Sequence, residues 1–410
     1  MVSFSKQNKQ VVILYLSTIL GVVLGILSSI INTRFLPPNE YGDVRYVQNI
    51  IQFVSSLLLF GYFLSGSRLL ALSYDTIYCR RVKGVMVLIL CAAVAVLMLC
   101  CFVLHCVFYN KLSIAHLFWI SIPVCAYPLL LNYINTTAQG DSQIGRLSIA
   151  RLFPCLFYVP VAYLVYSHSG ASASKLILLQ WGIYLVVCMA VIISTKPLFG
   201  NLRPIWDELK LENKSYGFQL YLGSLVMVAT NYLAGITLGA FYDDNSNVGF
   251  YTLALTITSP LATLPAIIGT TYFKKFATLP CIPSKVMKFT LVLTLFSCIL
   301  FILLIKPLVL FLYSNDYASV GIYASWLSIG YSIHGVGDMI NRYLGSHGMG
   351  KEIRNSSIYN GIVKVLGYIV LVYFFGIYGA IITTIACSII YTAVLSYYYS
   401  KFIHQEKLSC

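Results

Sequence analysis

The chain has 410 residues, of which 59% are apolar and only 10% are charged. A soluble globular domain carries about 25% charged residues, so this composition excludes an ordinary soluble enzyme or binding module. The formal net charge is +14. It is not gathered in a basic soluble domain of the kind that binds nucleic acid, so we predict no nucleic-acid partner.

Long apolar segments predict an all-α integral membrane protein. Residues 84–110 and 365–400 contain no Asp, Glu, Lys or Arg, and each segment exceeds the roughly 20 residues that cross a hydrocarbon core. The run from Val11 to Ile31 is longer than the core of a signal peptide and lacks an Ala-x-Ala exit, so we interpret it as the first membrane helix. Apolar runs and turn residues together predict about twelve transmembrane helices. In chain order they are 11–33, 44–67, 84–108, 116–137, 148–167, 175–194, 216–241, 248–272, 287–313, 319–345, 357–375 and 377–400.

The basic residues provide a test of this helix number. Lys and Arg crowd the cytoplasmic loops of membrane proteins. With the N-terminus inside, most of the 27 Lys and Arg residues fall in the segments predicted to be cytoplasmic. An error in the number of helices would scatter this pattern, so we predict a multi-pass protein with both termini in the cytoplasm.

Common catalytic and cofactor signatures do not occur. No Cys or Cys/His group has metal-ligand spacing, and the motifs GxxxxGK[ST], GxSxG and HExxH are absent. Most of the 12 cysteines lie in apolar runs, where free cysteine behaves as a small hydrophobic residue. We therefore predict no cofactor, no metal and no enzymatic activity.

Two pairs of turns indicate an internal repeat. The segments NEYGDV and SNVGFY align on Gly42 and Gly249, which are 207 residues apart, and AQGDSQIGRLS and SHGMGKEIRNS align on Gly140 and Gly348, which are 208 apart. Six helices per repeat bring both halves into the membrane from the same side, as a parallel repeat. We predict two pseudo-symmetric six-helix lobes, 1–195 and 216–410, joined by a cytoplasmic linker at 196–215 that acts as a hinge.

Three stretches, 32–62, 245–276 and 341–380, resemble the polysaccharide exporters, the O-antigen flippases of the Wzx type within the multidrug/oligosaccharidyl-lipid/polysaccharide superfamily. The resemblance implies an alternating-access carrier in the bacterial inner membrane. Its cargo would be an undecaprenyl-diphosphate-linked oligosaccharide, moved from the inner to the outer leaflet. The resemblance further implies contact with membrane lipid and with the polymerase and chain-length proteins of the same pathway as partners.

A carrier of a diphosphate-linked glycan needs cations at membrane depth, where an ionisable group is costly and therefore a functional candidate. Lys364 lies about two turns into the eleventh predicted helix, with Asn360 one turn before it. The predicted substrate-binding residues are Arg34, Arg68, Arg151, Asn360 and Lys364. Two alternatives stay open, because long basic side chains reach out to the interface and Arg34 can cap the end of its own helix.

The tenth predicted helix carries one histidine, one carboxylate and one guanidinium on a single face. His334, Asp338 and Arg342 are spaced at i, i+4 and i+8, which places them in one stripe. This stripe predicts a proton relay or ion-coupling site. The alternative is a structural Asp338–Arg342 ion pair with His334 hydrogen-bonded nearby.

Other functions compete with the flippase. A membrane glycan polymerase or acyltransferase would share this hydropathy, but the predicted outside loops are only about ten residues long, too short to build a catalytic site. A cation-coupled drug exporter of the same superfamily should carry anionic cavity residues, whereas Asp338 is the only deep carboxylate. A lipid II carrier of that superfamily stays open as an alternative.

Overall fold

The structure is a computed structural model, and it describes residues 6–141 and 143–409. Side chains are described from residue 19 to residue 404, except at 142, 144, 223, 224, 226–229 and 274. The described residues form α-helices and no β-strand, which confirms the predicted all-α class. The helices are α1 Lys6–Phe35, α2 Pro38–Leu57, α3 Tyr62–Leu72, α4 Thr76–Val107, α5 Leu112–Ser121, α6 Tyr127–Gly140, α7 Ile144–Ser169, α8 Ala173–Ser194, α9 Arg203–Glu212, α10 Phe218–Phe241, α11 Ser246–Thr258, α12 Pro260–Phe276, α13 Ser284–Leu312, α14 Ser319–Ser346 and α15 Gly350–Ser409.

The predicted membrane segments match these helices. Within the described residues, six helices are long and apolar enough to cross a membrane, and α2 with α3 forms a seventh span as a bent pair. Of the other predicted segments, three coincide with α1, α10 and α14, and one coincides with the consecutive pair α5 and α6. The last two predicted segments both lie in α15, one on each side of Gly376. About twelve spans of membrane length result, as predicted.

The chain forms two compact units. The first unit ends at Tyr232 and the second begins at Leu233, so the division falls inside α10. The segment predicted as a polar hinge contains the amphipathic helix α9, and a π-helical turn, Asn213–Gly217, joins α9 directly to α10.

The second predicted span is broken between α2 and α3, which meet at an angle of 59°. Gly61 has a φ of +81° at this break, a conformation that glycine adopts without steric cost. The break frees backbone carbonyls, and the segment after α9 satisfies two of them. Asn213 Nδ2 donates to the Phe60 carbonyl at 3.1 Å, and the Tyr221 hydroxyl donates to the Leu57 carbonyl at 2.8 Å. Non-helical backbone persists at membrane depth only where the protein satisfies it in this way.

The last helix, α15, is two helices joined at Gly376, whose φ is +55°. The Tyr242 hydroxyl lies at this joint, 3.1 Å from the Val372 carbonyl and 3.3 Å from the Tyr373 carbonyl. Tyr242, the residue that follows α10, thus supplies a donor where the ordinary i to i−4 bonds of the helix are interrupted.

Candidate functional site

Polar side chains of the first unit gather between α1, α7 and α8. The Tyr158 hydroxyl donates to Asn32 Oδ1 at 2.5 Å and lies 3.1 Å from the Tyr166 hydroxyl, and all three residues are buried. Nearby, the Tyr184 hydroxyl lies 2.9 Å from Cys155 Sγ. Lipid offers no hydrogen bonds to such groups, so the protein must pair them with one another or with a ligand.

Arg45 of α2 extends the polar region of the first unit and is not among the predicted substrate-binding residues. Its Nη1 donates to Gln48 Oε1 at 2.7 Å, and Gln48 Nε2 donates to Gln180 Oε1 at 3.1 Å. The guanidinium carbon lies 4.8 Å from the Tyr41 ring centroid, within the range of a cation–π interaction. The signal that was available is the spacing of Tyr41, Arg45 and Gln48, which places three polar side chains on one face of a helix.

Two of the predicted substrate-binding arginines are paired with polar side chains of other segments. Arg151 donates from Nε and Nη2 to Asn135 Oδ1, at 3.3 and 2.9 Å. Arg68 pairs with Glu212 at 2.6 Å, and its guanidinium carbon lies 4.7 Å from the Tyr216 ring centroid. Arg68 therefore ties α3 to the segment around the end of α9, and Arg151 ties α7 to α6.

Arg34 lies at a different depth from Arg151. Helices α1 and α7 run parallel, because Gly21 lies against Leu152 and the Phe35 ring lies against Tyr163. Arg34 is thirteen residues beyond Gly21, which separates it from the level of Arg151 by about 20 Å along the helix. Arg34 is exposed in the last turn of α1. The structure does not bring these two cations together.

The predicted stripe on α14 forms part of a polar cluster in the second unit. His334 Nε2 lies 4.0 Å from Asp338 Oδ1, and both side chains are 32% exposed. The Tyr391 hydroxyl donates to the same oxygen of Asp338 at 3.0 Å and accepts from Asn341 Nδ2 at 2.7 Å. The Tyr391 ring stacks on His334, with ring centroids 4.5 Å apart. One tyrosine on α15 therefore holds both titratable groups of the stripe.

Arg342 makes no ion pair with the described residues of that cluster, although its charge interacts with Tyr391. Its side chain is exposed, and its aliphatic carbons lie beside Gly269 of α12. Among the described residues no ion pair joins Arg342 to Asp338. In the described part of the chain, a hydroxyl and an imidazole contact the carboxylate of Asp338, and the guanidinium of Arg342 does not.

Lys364 of α15 lies close to the same cluster. Its ammonium interacts electrostatically with His334 and with Cys387, and its side chain is half-buried. Asn360, one turn before Lys364, is buried, and its Oδ1 makes no hydrogen bond to a described residue. The sequence predicted Lys364 and Asn360 as one site and His334 with Asp338 as another. The structure brings the two pairs into one region of the second unit.

A group of hydroxyls lies beside this region. The Tyr251 hydroxyl is 2.8 Å from Thr384 Oγ1, and the Tyr368 hydroxyl is 3.1 Å from the same oxygen. Tyr391, Tyr251 and Tyr368 were missed by the sequence analysis, because aromatic residues at helical spacing are found equally in interfacial belts. A cation, a carboxylate, an imidazole and several hydroxyls therefore share one unit, which suits the binding of phosphate and sugar hydroxyls. Within the described residues, no group of three His, Cys, Asp or Glu side chains has the geometry of a metal site.

These features define a class: a multi-pass helical membrane protein that holds cations and hydrogen-bonding side chains between its spanning helices. The chain belongs to the polysaccharide biosynthesis protein family, which it matches over residues 8–273. The family predicted from the sequence is thereby confirmed. A comparison with curated proteins finds no match.

The fold is similar to those of solved membrane transporters. The lipid II flippase MurJ, in an inward closed conformation, matches with a TM-score of 0.71 and 14% identity, covering 97% of this chain and 90% of that chain. An inward-facing multidrug resistance transporter of the MATE family, in the MOP superfamily, matches with a TM-score of 0.67 and 13% identity, covering 93% and 95%. A MOP superfamily transporter from Pyrococcus furiosus matches with a TM-score of 0.56 and 12% identity, covering 96% of each chain. At these identities the likeness concerns the fold.

Proposed function

We propose that the protein is a flippase that moves undecaprenyl-diphosphate-linked repeat units, of the O-antigen type, across the bacterial inner membrane by alternating access. Family membership supports a role in polysaccharide assembly. The observation that carries the proposal is the region around Lys364. Its half-buried ammonium lies near His334 and one turn from Asn360, whose Oδ1 makes no hydrogen bond to a described residue. An ammonium within a spanning helix is retained at a cost, and a diphosphate carries the opposite charge.

In this proposal the protein is a carrier and not an enzyme. Lys364 binds a phosphate of the substrate, and Asn360 accepts a hydrogen bond from the same ligand. His334 and Asp338 form an ion-coupling pair, since the charge of an imidazole changes between about pH 5 and pH 8. Arg34, Arg68 and Arg151 act at other stages of transport. In this structure Arg68 is paired with Glu212 and Arg151 with Asn135. Both termini are cytoplasmic.

The test is transbilayer movement of an undecaprenyl-diphosphate oligosaccharide in proteoliposomes. Wild type is compared with Lys364→Ala and with Lys401→Ala, a matched variant at an exposed position near the end of the same helix. Loss of one charge-assisted contact, about 1.5–3 kcal/mol, predicts a loss of roughly ten- to a hundredfold for Lys364→Ala, and no change for Lys401→Ala.

Three outcomes contradict parts of the proposal. Equal rates for Lys364→Ala and wild type remove Lys364 from the site. Movement of lipid II in preference to the oligosaccharide assigns the protein to peptidoglycan precursors. Failure of wild type to move either lipid, in liposomes where it exports a cationic drug, favours the exporter.

A further inference from the structure

A second polar region lies in the first unit, away from the residues assigned above. A cavity of about 580 Å³ opens where α3, α6 and α8 end and where α4 and α7 begin. Its walls come from the α3–α4 turn, the α6–α7 turn and the residues that follow α8. Five helix ends thus meet around one cavity, at the end of the unit that the basic residues predict to be cytoplasmic.

The cavity carries an excess of positive charge. Four basic side chains line it, Arg80, Lys83, Arg146 and Lys196, against a single carboxylate, Asp141. Lys83 is only 4% exposed and its Nζ lies 2.5 Å from Asp141 Oδ2, so the carboxylate is already neutralised by a buried partner. Three cations of the lining therefore remain without a carboxylate among the described lining residues.

The two guanidinium groups are held in place by backbone carbonyls. Arg80 Nε donates to the Lys196 carbonyl at 2.7 Å, and Arg146 Nη2 donates to the Ser194 carbonyl at 3.0 Å. A guanidinium has five N–H donors, so each side chain keeps donors for a ligand. Lys196 has a φ of +51°, which a non-glycine residue seldom adopts. The bond from Arg80 fixes the chain at that turn.

The helix ends around the cavity also expose apolar side chains. Leu72, Ile77 and Ile193 are exposed beside the lining residues, and Tyr74, which lines the cavity, is 99% exposed. Tyrosine is enriched at the level of lipid headgroups, where its ring is in the bilayer and its hydroxyl is in water. A ligand that suits this cavity therefore has an anionic head and an apolar tail.

We propose that this cavity binds the phosphate group of an anionic membrane lipid. Arginine presents parallel N–H donors that match the oxygens of a phosphate. Basic pockets between membrane helices on the cytoplasmic side are known sites for lipid headgroups. Two lipids carry the required chemistry, a glycerophospholipid such as phosphatidylglycerol and the prenyl diphosphate of the cargo. The second source rests on the proposed function, and the first does not.

The test measures lipid retention by the full-length protein in detergent, by native mass spectrometry with three added lipids: phosphatidylglycerol, phosphatidylcholine and undecaprenyl diphosphate. The variant is Arg146→Gln with Lys196→Gln, which leaves the buried Lys83–Asp141 pair intact. The matched control is Lys285→Gln with Lys288→Gln, two exposed basic residues at the start of α13. Each charge removed near an anionic group is worth about 1 kcal/mol, so retention should weaken roughly fivefold per substitution. The control should bind like wild type.

The outcomes separate the two sources. If the variant loses retention of phosphatidylglycerol alone, the ligand is a bilayer phospholipid. If it loses retention of undecaprenyl diphosphate alone, the ligand is the cargo lipid. Equal lipid retention by the variant and the control overturns the proposal. Retention of phosphatidylcholine by the wild type as strong as that of the anionic lipids overturns it too. Lys196→Arg keeps the charge and should keep binding, which separates loss of charge from misfolding. If the wild type moves no glycan but the variant still loses phosphatidylglycerol, the proposed function is contradicted and this inference stands.

Discussion

Tyr158 shows how a single hydroxyl stabilises a membrane helix pair. It is buried and joins Asn32 of α1 to Tyr166 of α7. Tyr158→Phe leaves Asn32 Oδ1 without this donor in a place that water cannot reach, so we expect a loss of about 1 kcal/mol of stability. The measurement is the midpoint of thermal unfolding in detergent. Tyr163→Phe is the control, because Tyr163 is on the same helix and 56% exposed. Equal midpoints for the two variants would contradict the role of this bond.

Asp338 and Tyr391 allow the coupling and structural roles of the α14 cluster to be separated. In the wild type the Tyr391 hydroxyl lies 3.0 Å from Asp338 Oδ1. Asp338→Asn keeps the side-chain shape and one oxygen that can accept this hydrogen bond. If the carboxylate couples transport to protons, this variant keeps the unfolding midpoint of wild type and loses the dependence of transport on an imposed pH gradient. Tyr391→Phe should keep that dependence. A transport rate that falls only in proportion to the midpoint, in both variants, would make the cluster structural.

The sequence predicted part of this site and could not predict the rest. The i, i+4 spacing placed His334 and Asp338 on one face correctly, because helical periodicity is local. Tyr391 contacts both residues but lies 53 positions beyond Asp338 in the chain, and no local pattern reports such a contact. Arg342 has the same periodicity but points to Gly269 of another helix. Periodicity fixes a face and does not decide which members of that face meet.

At the scale of elements, the break between α2 and α3 depends on glycine. A Cβ on Gly61 would lie against the Gly217 carbonyl, and its φ of +81° is unfavourable for any other residue. We expect Gly61→Ala to lower the free energy of unfolding by at least about 1–2 kcal/mol. Gly200→Ala is the control, since no atom lies within 4 Å of a Cβ placed there. Thermal unfolding of the two variants checks this prediction, and equal midpoints would contradict it.

Helix number was predictable and helix continuity was not. Apolar length predicts a span because hydrophobic thickness sets it, and the predicted segments coincide with the observed ones. The span at 44–67 was predicted as one helix, but Asn213 and Tyr221 from a distant segment stabilise a 59° bend within it. The linker was predicted as a polar hinge, yet it contains α9, because Pro204 suits a first helical turn. Breaks depend on partners elsewhere in the chain, which hydropathy does not record.

At the scale of the molecule, the turns that defined the internal repeat fall at corresponding places. Gly42 and Gly249 lie near the starts of α2 and α11. Gly140 is the last residue of α6, and Gly348 follows the end of α14 by two residues. Both units also contain buried tyrosines, Tyr158 and Tyr166 in the first and Tyr251 in the second. The polar contents of the two units nevertheless differ. The second unit contains the cluster of His334 and Asp338, so a repeat of the helices does not imply a repeat of the chemistry.

The orientation of the whole chain can be tested with two native cysteines. Cys281 and Cys106 are both exposed and free. Cys281 lies between Lys275 and Lys285, in a loop that the basic residues place in the cytoplasm, whereas Cys106 lies near the end of α4 predicted to face outward. A membrane-impermeant maleimide should label Cys106 in spheroplasts and reach Cys281 only after permeabilisation, with each labelled peptide identified by mass spectrometry. The opposite order would invert the topology, and the basic cavity at Arg80 and Arg146 would then face away from the cytoplasm. That result would contradict cytoplasmic termini and would remove the cytoplasmic leaflet as the source of its lipid, whereas labelling of both cysteines before permeabilisation would contradict the helix count.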